Sequence, residues 1–229
     1  YAVEMVNARS LAIEALSDDS DFIGGILEVQ ASSIPGITFL PALLSDFRSL
    51  HPDIQFYVSV SDTQTVVDNI SDRRGEIGFT GEKITSPSFE CTKVATDKSV
   101  LIAPVSYDIA SSISLSEAAS YPFVWRETGS ATRRTFEETA LKHGFGKEEF
   151  EVAALVDDMN TLIRSVEEGL GVAIISQKIA VSLGDRVKVA DIKDFSEDRT
   201  FYMIKLKSTS LSPAAEAFSA FVKQQIRDK

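Results

Sequence analysis

An α/β fold made of two successive units, each with alternating strands and helices, is predicted by three features of the sequence. Short apolar runs bounded by small or polar residues recur along the chain, as at residues 26–31 and 123–125. Stretches with apolar residues at helical spacing follow most of these runs. Serine, threonine and glycine are concentrated at two of the turns from strand to helix. Strands that alternate with helices pair in parallel, so each unit should contain a parallel sheet covered by helices.

The first unit is predicted to run from Gly24 to Gly81 in the order strand, helix, strand, helix, strand. A proline and two serines precede the first helix, and Pro52 stops it. Residues 61–62 offer N-caps to the second helix, which ends at residues 73–75. The three strands are predicted at residues 26–31, 54–60 and 76–80.

The alternation continues through the rest of the chain and predicts a second unit. Strands are predicted at residues 90–94, 99–105, 123–125, 151–156, 172–175, 187–192 and 199–206. Helices are predicted at residues 114–119, 132–143, 161–169 and 176–183, and a final helix begins at Ser212 and Pro213. The last strand and the last helix have no partner within the second unit.

Hydroxyl-bearing residues and glycines follow several of the predicted strands, at positions where α/β proteins bind ligands. The carboxyl ends of parallel strands meet at one edge of a sheet, and the N-termini of the following helices attract anions. The same residues could act only as N-caps, and this alternative stays open for each serine. The candidate ligand-binding residues are Ser32, Ser33, Thr80 and Gly81 in the first unit, and Gly129, Ser130, Thr132 and Asn160 in the second.

The composition narrows the class of protein. A hydrophobic content of 44% with 25% charged residues allows a core of normal size. The net charge of −11 opposes binding to nucleic-acid phosphates by this chain itself. The single cysteine, Cys91, excludes an internal disulfide and a cysteine-based metal cluster. No apolar run approaches the roughly 20 residues of a membrane helix, and the first residues do not resemble a signal peptide.

No catalytic, metal or cofactor motif is found, so we expect no enzyme activity, metal or cofactor. The sequence has no nucleophile elbow, zinc-protease helix or Walker loop. His51 and His143 stand at predicted helix ends, where capping is the simpler role. The glycines at residues 169 and 171 indicate a helix stop, and the adjacent Asp157 and Asp158 indicate a helix cap.

A series of motifs then places the chain in a known family. In order they are A-S-S-I-P-G, L-P-A-L-L-S-D-F, H-P-D-I, S-D-T-Q, E-I-G-F-T-G, R-E-T-G-S-A-T-R-R, E-E-G-L-G-V-A-I-I-S and L-S-P-A-A-E-A-F. This pattern, which covers nearly the whole chain, resembles the effector-binding domain of LysR-type transcriptional regulators. The I-P-G, the S-D-T-Q and the R-E-x-G-S-x-T-R loop are most similar to the members tied to sulfur and selenium assimilation. Threonines hold an inorganic oxyanion in the cysteine-regulator members, and Ser33 replaces one of them here.

The resemblance implies two Rossmann-like lobes around a cleft, as in type 2 periplasmic binding proteins. It implies that residues 1–19 are the tail of a linker and dimerisation helix, although a packed first helix is the alternative. Lobe I would comprise residues 20–103 and 195–229, and lobe II residues 104–194. The N-terminal winged helix-turn-helix domain, which would contact DNA, is absent from this chain.

The predicted function is therefore effector sensing in a cytoplasmic homodimer or homotetramer. A small oxyanion or carboxylate would bind between the lobes and change how the subunits pack. Thr80→Val is expected to abolish ligand binding. The alternative from another class is an extracytoplasmic solute-binding protein for a small anion, which shares the two-lobed architecture. A third hypothesis, an enzyme on the same fold, would be revived by turnover of a substrate.

Overall fold

The computed structural model describes residues 23–195 and 198–227. The segment predicted to be a linker helix, residues 1–19, lies outside the described residues. The strands are β1 (Gly25–Ser32), β2 (Ile54–Ser61), β3 (Ile77–Thr80), β4 (Phe89–Ala103), β5 (Ser112–Ile113), β6 (Phe123–Arg126), β7 (Val152–Val156), β8 (Ala173–Ser176), β9 (Lys188–Ile192) and β10 (Asp198–Leu206). The α-helices are α1 (Ser33–Thr38), α2 (Leu40–Leu50), α3 (Thr63–Ser71), α4 (Leu115–Ala118), α5 (Ala131–Lys142), α6 (Met159–Glu167), α7 (Gln177–Leu183) and α8 (Pro213–Arg227).

The described residues divide into two compact units. Unit 1 comprises residues 23–61, 65–94 and 202–227, and unit 2 comprises residues 62–64 and 95–201. The division falls within β4 and within β10, whereas the sequence placed it after residue 103 and before residue 195. Both strands contribute residues to both units, so no loop marks the boundary.

Unit 1 contains the parallel sheet that was predicted. β1 pairs in parallel with β2 along its whole length and with β3 at residues 29–31, and β10 joins β3 in antiparallel orientation. Helices α2 and α8 cover this sheet, and their phenylalanines meet there: the ring centroids of Phe47 and Phe218 are 5.1 Å apart. Both side chains are fully buried together with Phe79. The C-terminal helix therefore completes the core that the first strands begin.

Unit 2 has its own core and two groups of strands. β4 pairs in antiparallel orientation with β8 and with β9, and β5 pairs in parallel with β9. β6 and β7 form a separate parallel pair. The aromatic rings of Phe123, Trp125, Phe136 and Phe150 pack together beneath these strands, and the Phe123 and Trp125 rings stack at 4.7 Å. This cluster fixes β6 and the start of α5, from which the candidate site is built.

Two predicted elements differ from the structure. The segment after β1 forms two helices that meet at Phe39, because Pro41 at the start of the second helix has no backbone N–H with which to continue the first. The two strands predicted at residues 90–94 and 99–105 are one strand, β4, of 15 residues. Its polar centre stays extended because the buried carboxylate of Asp97 accepts a hydrogen bond from the Ser176 hydroxyl. The short strand β5 was not predicted.

Within the described ranges, no helix is long and apolar enough to cross a membrane.

Candidate ligand-binding site

The first group of predicted site residues lies in unit 1, at the carboxyl ends of two neighbouring strands. β1 and β3 are parallel with Ala31 opposite Phe79, so Ser32 and Thr80 end adjacent strands. Ser32 is 6% exposed and Thr80 is fully buried. Gly81 is buried as well, and Ser33 is half-buried. The prediction that these two strand ends are neighbours is therefore confirmed.

The hydroxyl of Ser32 does not act as a helix cap. Ser32 occupies the N-cap position of α1 with extended backbone angles, but its side chain makes no capping hydrogen bond. Ser33, for which capping was the alternative role, is the first residue of the helix. A nearly buried hydroxyl without a capping bond is a better candidate for a ligand contact than an ordinary cap.

Thr80 has a different hydrogen-bonding role from the one expected. Its Oγ1 donates to the carbonyl of Glu82 at 2.9 Å. A hydroxyl carries one hydrogen and two lone pairs, so in this arrangement Thr80 has only acceptor capacity left. A deprotonated oxyanion group offers no donor to it, so Thr80 can accept only from a hydroxyl or N–H group elsewhere on the ligand.

The second group lies in unit 2, at the start of α5. Ser130 is the N-cap of this 12-residue helix and accepts a hydrogen bond from the backbone N–H of Arg133 at 3.5 Å. Capping is therefore part of its role. Gly129 precedes it, and a Cβ at this position would lie 2.6 Å from Oδ1 of Asp62, which also belongs to unit 2. Glycine at this position leaves room for the carboxylate of Asp62.

A residue that the sequence did not single out completes this group. Arg199, at the beginning of β10, is 9% exposed, and its Nη1 donates to Oγ1 of Thr132, which is 5% exposed. The guanidinium lies 5.2 Å from the ring centroid of Phe201, an arrangement that favours a cation over an aromatic face. The sequence showed only an arginine at a strand end, 67 residues from its partner. No local signal could have joined the two.

A second buried arginine at this edge of unit 2 is neutralised by its neighbour. Arg126 ends β6 and forms a bidentate ion pair with Glu127, with distances of 2.7 Å from Nε to Oε2 and 2.9 Å from Nη2 to Oε1. Its Nη2 also donates to the carbonyl of Asp157 at 3.1 Å. The first two residues of the R-E-T-G-S motif thus fix the turn before the helix.

Asn160 stands apart from the buried group. β6 and β7 are parallel with Arg126 opposite Val156, so the turn that leads to Asn160 lies at the same edge as residues 129–132. Asn160 itself is exposed and borders an open surface depression with Thr161, Arg164 and Gly169. In unit 2 the structure brings together Ser130, Thr132 and Arg199, and it leaves Asn160 on the surface.

The residues interpreted as caps are confirmed in that role. Asp158 caps α6 and accepts from the backbone N–H of Thr161 at 2.6 Å, and this bond lowers the pKa of the carboxyl. His51 and His143 occupy the C-cap positions of α2 and α5. Gly169 adopts a φ of +90° just beyond α6, as a helix stop requires. Among the described residues no group of three or more potential metal ligands is found.

Buried hydroxyls at the carboxyl ends of parallel strands, in an α/β fold of two units, define a module that binds a small molecule. The sequence pattern of the LysR substrate binding domain matches residues 21–227, and the chain belongs to this family. The two-lobed fold and the predicted role as an effector-binding domain of a LysR-type regulator are thereby confirmed. Domains of this kind are not enzymes, and LysR regulators bind small-molecule effectors and act on DNA as oligomers.

Individual relatives agree with this assignment. An uncharacterized HTH-type transcriptional regulator of Methanocaldococcus jannaschii, MJ0300, is 23% identical over 224 residues, which cover 96% of this chain and 74% of that protein. The effector-binding domain of QuiR with shikimate superimposes with a TM-score of 0.81 at 19% identity, over 90% of this chain and 98% of that one. The regulatory domain of Synechocystis CcmR with 2-PG gives 0.80 at 20% identity, over 89% and 98%. The chain spans less than two thirds of several other curated relatives.

Proposed function

We propose that this effector-binding domain senses a small anion through the two hydroxyl-rich groups described above. The ligand-contacting residues in this proposal are Ser32, Ser33, Thr80 and Gly81 of unit 1, and Gly129, Ser130, Thr132 and Asn160 of unit 2. Ligand binding shifts the population of conformations of the domain, and the oligomer transmits the change to DNA-binding domains outside this chain.

The observation that carries the anionic class is the buried positive charge of Arg199 beside the hydroxyl of Thr132. A guanidinium held away from water interacts more strongly with a negative group than one on the surface. The N-terminus of α5 adds a partial positive charge at the same place. Two structural neighbours support this class, since they bind shikimate and 2-PG (2-phosphoglycolate), which are both small anions.

Three finer points belong to the same proposal. The I-P-G, the S-D-T-Q and the R-E-x-G-S-x-T-R loop favour a sulfur or selenium oxyanion among the anions. The protein forms a homodimer or homotetramer, for which the exposed Val58 and Val60 on one face of β2 offer an apolar strand surface in unit 1. A regulator that acts on DNA works in the cytoplasm of its cell.

A thermal-shift screen of the 229-residue chain tests the ligand class. The probes are sulfate, thiosulfate, selenite, phosphate, O-acetylserine, shikimate and 2-phosphoglycolate. A ligand that binds the native state at about 100 times its Kd should raise Tm by about 5 °C or more. The rise should vanish in Thr132→Val. It should persist in Thr139→Val, which removes another buried hydroxyl from the same helix.

Sedimentation of the same samples tests the proposed oligomeric state. A dimer or tetramer agrees with the proposal, and a monomer at all concentrations contradicts it. If none of the seven probes changes Tm, the small-anion class is rejected.

A further inference from the structure

The pair formed by Arg199 and Thr132 constrains the chemistry of the unit 2 site beyond its positive charge. An arginine side chain has hydrogen-bond donors and no acceptor, so it must be the donor in this bond. Oγ1 of Thr132 accordingly accepts from Nη1 of Arg199. One of the two lone pairs of the hydroxyl is thereby occupied, and the hydroxyl hydrogen has to point elsewhere.

The hydrogen of Thr132 has no acceptor in the part of the chain that the structure describes. The bond from Arg199 accounts for the side-chain contacts of Thr132 among residues 23–195 and 198–227. The side chain is only 5% exposed, so bulk water replaces the missing acceptor poorly. A buried donor without a partner is unfavourable, and a ligand oxygen that accepts from it removes this cost.

Arg199 is itself held in place. Its Cζ lies 5.2 Å from the ring centroid of Phe201, a side chain that is 1% exposed. Stacking on a rigid aromatic ring limits the positions that the guanidinium can adopt. The packing of β10 therefore fixes the position from which the guanidinium donates to Thr132.

We infer that Arg199 is a specificity-determining residue that fixes the Thr132 hydroxyl as a donor, so that unit 2 selects ligand atoms that accept hydrogen bonds. Carboxylate, phosphate and sulfate oxygens fit this requirement, and amino or amide N–H groups do not. The inference rests on the proposed function and adds the residue that sets its selectivity. Thr80 in unit 1 differs from Thr132 in this respect, since the hydroxyl hydrogen of Thr80 is already donated to Glu82.

A double-mutant cycle on ligand affinity tests whether Arg199 acts through Thr132. Calorimetry with 2-phosphoglycolate and with sulfate is carried out on the wild-type chain, Arg199→Met, Thr132→Val and the double variant. Each single change should weaken binding on the order of tenfold or more. The loss of affinity in the double variant should be smaller than the sum of the two single losses, because without Thr132 the change at Arg199 removes only a positive charge and no longer the orientation of a hydroxyl.

Conservative variants separate orientation from folding. Arg199→Lys keeps a donor and a positive charge, and Thr132→Ser keeps the hydroxyl, so both should bind more tightly than the corresponding Met and Val variants. Thr139→Val controls for loss of a buried hydroxyl on α5 and should bind as the wild type does. Strictly additive losses would show that Arg199 contacts the anion independently of Thr132, and would overturn the inference while the proposed function stands.

The same cycle without ligand gives a second, independent result. In urea unfolding, the midpoint of the double variant should be higher than additivity of the two single losses predicts. Additive midpoints refute the pairing and with it the inference. If the midpoints are coupled but neither probe binds the wild type, selectivity for such oxyanions is refuted, and the failure lies in the proposed ligand class, not in the contact.

Discussion

The two groups of hydroxyls that the sequence marked as equivalent differ in what they can offer a ligand. In unit 1, Ser32 caps nothing with its side chain and Thr80 donates its hydrogen to Glu82. In unit 2, Ser130 caps α5 and Thr132 accepts from a buried arginine. Unit 1 therefore supplies a neutral surface, and unit 2 supplies both positive charge and a fixed donor.

The difference shows that residue type alone does not set the direction of a hydrogen bond. A threonine hydroxyl donates when its neighbour is an acceptor and accepts when its neighbour is a donor. For Thr80 that neighbour is two residues away, whereas for Thr132 it is 67 residues away. The same type of side chain thus has a different hydrogen-bonding capacity in each of the two units.

The largest expected effect is a loss of stability in unit 2 on substitution of Gly171, compared with a similar substitution in unit 1. A Cβ on Gly171 would lie 2.3 Å from the backbone carbonyl oxygen of Pro122, which cannot move without breaking its 2.8 Å bond to Val172 N–H. We expect Gly171→Ala to destabilise unit 2 by about 3 kcal/mol or more. Fluorescence of Trp125, the single tryptophan and part of the unit 2 core, reports this in urea.

The matched control for this change is Gly36→Ala in unit 1. There a Cβ would lie 3.1 Å from Cγ2 of Val60, an exposed side chain that can rotate away. The fluorescence transition should stay within about 0.5 kcal/mol of the wild type. Equal loss in both variants would contradict the assignment of the clash at Gly171.

The next prediction compares the two threonines directly. Thr132→Val should weaken binding of an anion by about tenfold or more, and Thr80→Val by about threefold or less, because the Thr80 hydrogen is already used. This replaces the expectation, drawn from the sequence, that Thr80→Val abolishes binding. Calorimetry with 2-phosphoglycolate measures both. A greater loss from Thr80→Val would reverse the roles of the two units.

A smaller effect is expected at the cap of α6 in unit 2. Asp158→Ala should lower the free energy of unfolding by about 1 kcal/mol at neutral pH. Hydrogen bonding to Thr161 lowers the pKa of Asp158 from its ordinary value of 3.8. The stabilisation is therefore complete above that value and is lost as pH falls through the lower folded-state value.

Urea unfolding of three proteins between pH 2 and pH 7 measures this dependence. Asp158→Asn keeps a good N-cap without the charge, so its stability at neutral pH should stay within about 0.5 kcal/mol of the wild type. Its pH dependence should lack the component that the wild type shows in acid. An unchanged profile in Asp158→Asn would mean that another carboxyl is responsible.

The smallest effect compares two ion-pair groups. In unit 2, Glu137 is 17% exposed and contacts Arg133 at 2.7 Å and Lys147 at 3.0 Å. In unit 1, Glu90 is 38% exposed and contacts Lys223 at 2.8 Å and Lys205 at 3.5 Å. Glu137→Gln should cost about 1 kcal/mol and Glu90→Gln about 0.5 kcal/mol or less, because water screens the second group more.

The pKa values of the Glu137 and Glu90 carboxyls can be measured to check these two ion-pair groups. Burial acts to raise the pKa of Glu137, but the bonds from Arg133 and Lys147 outweigh it, so the net shift is downward. The bond from Lys223 is the main cause that lowers the pKa of Glu90. NMR titration should find both below their ordinary value of 4.5. Stability from each is present above that value and is lost as pH falls through the folded-state pKa.

Much of the fold followed from local patterns. The alternation of residues 54–60 and the helical spacing after Pro35 predicted β2 and the helical segment on β1, and the parallel pairing then followed from chain connectivity. The break at Phe39 was missed, although Pro41 is typical of the start of a new helix. The continuity of β4 was missed too, since Thr96, Asp97 and Lys98 have the composition of a turn.

The sequence by itself determined the family, the order of elements and the turns that carry the candidate site, because these depend on periodicity and on residues close along the chain. Only the tertiary structure decided where the two units divide, why Gly129 has no side chain, and how each hydroxyl of the site is oriented. Those properties depend on contacts such as Arg199 with Thr132, whose partners come from distant segments. Hydrogen-bond direction is a property of a pair, and a sequence shows only its members.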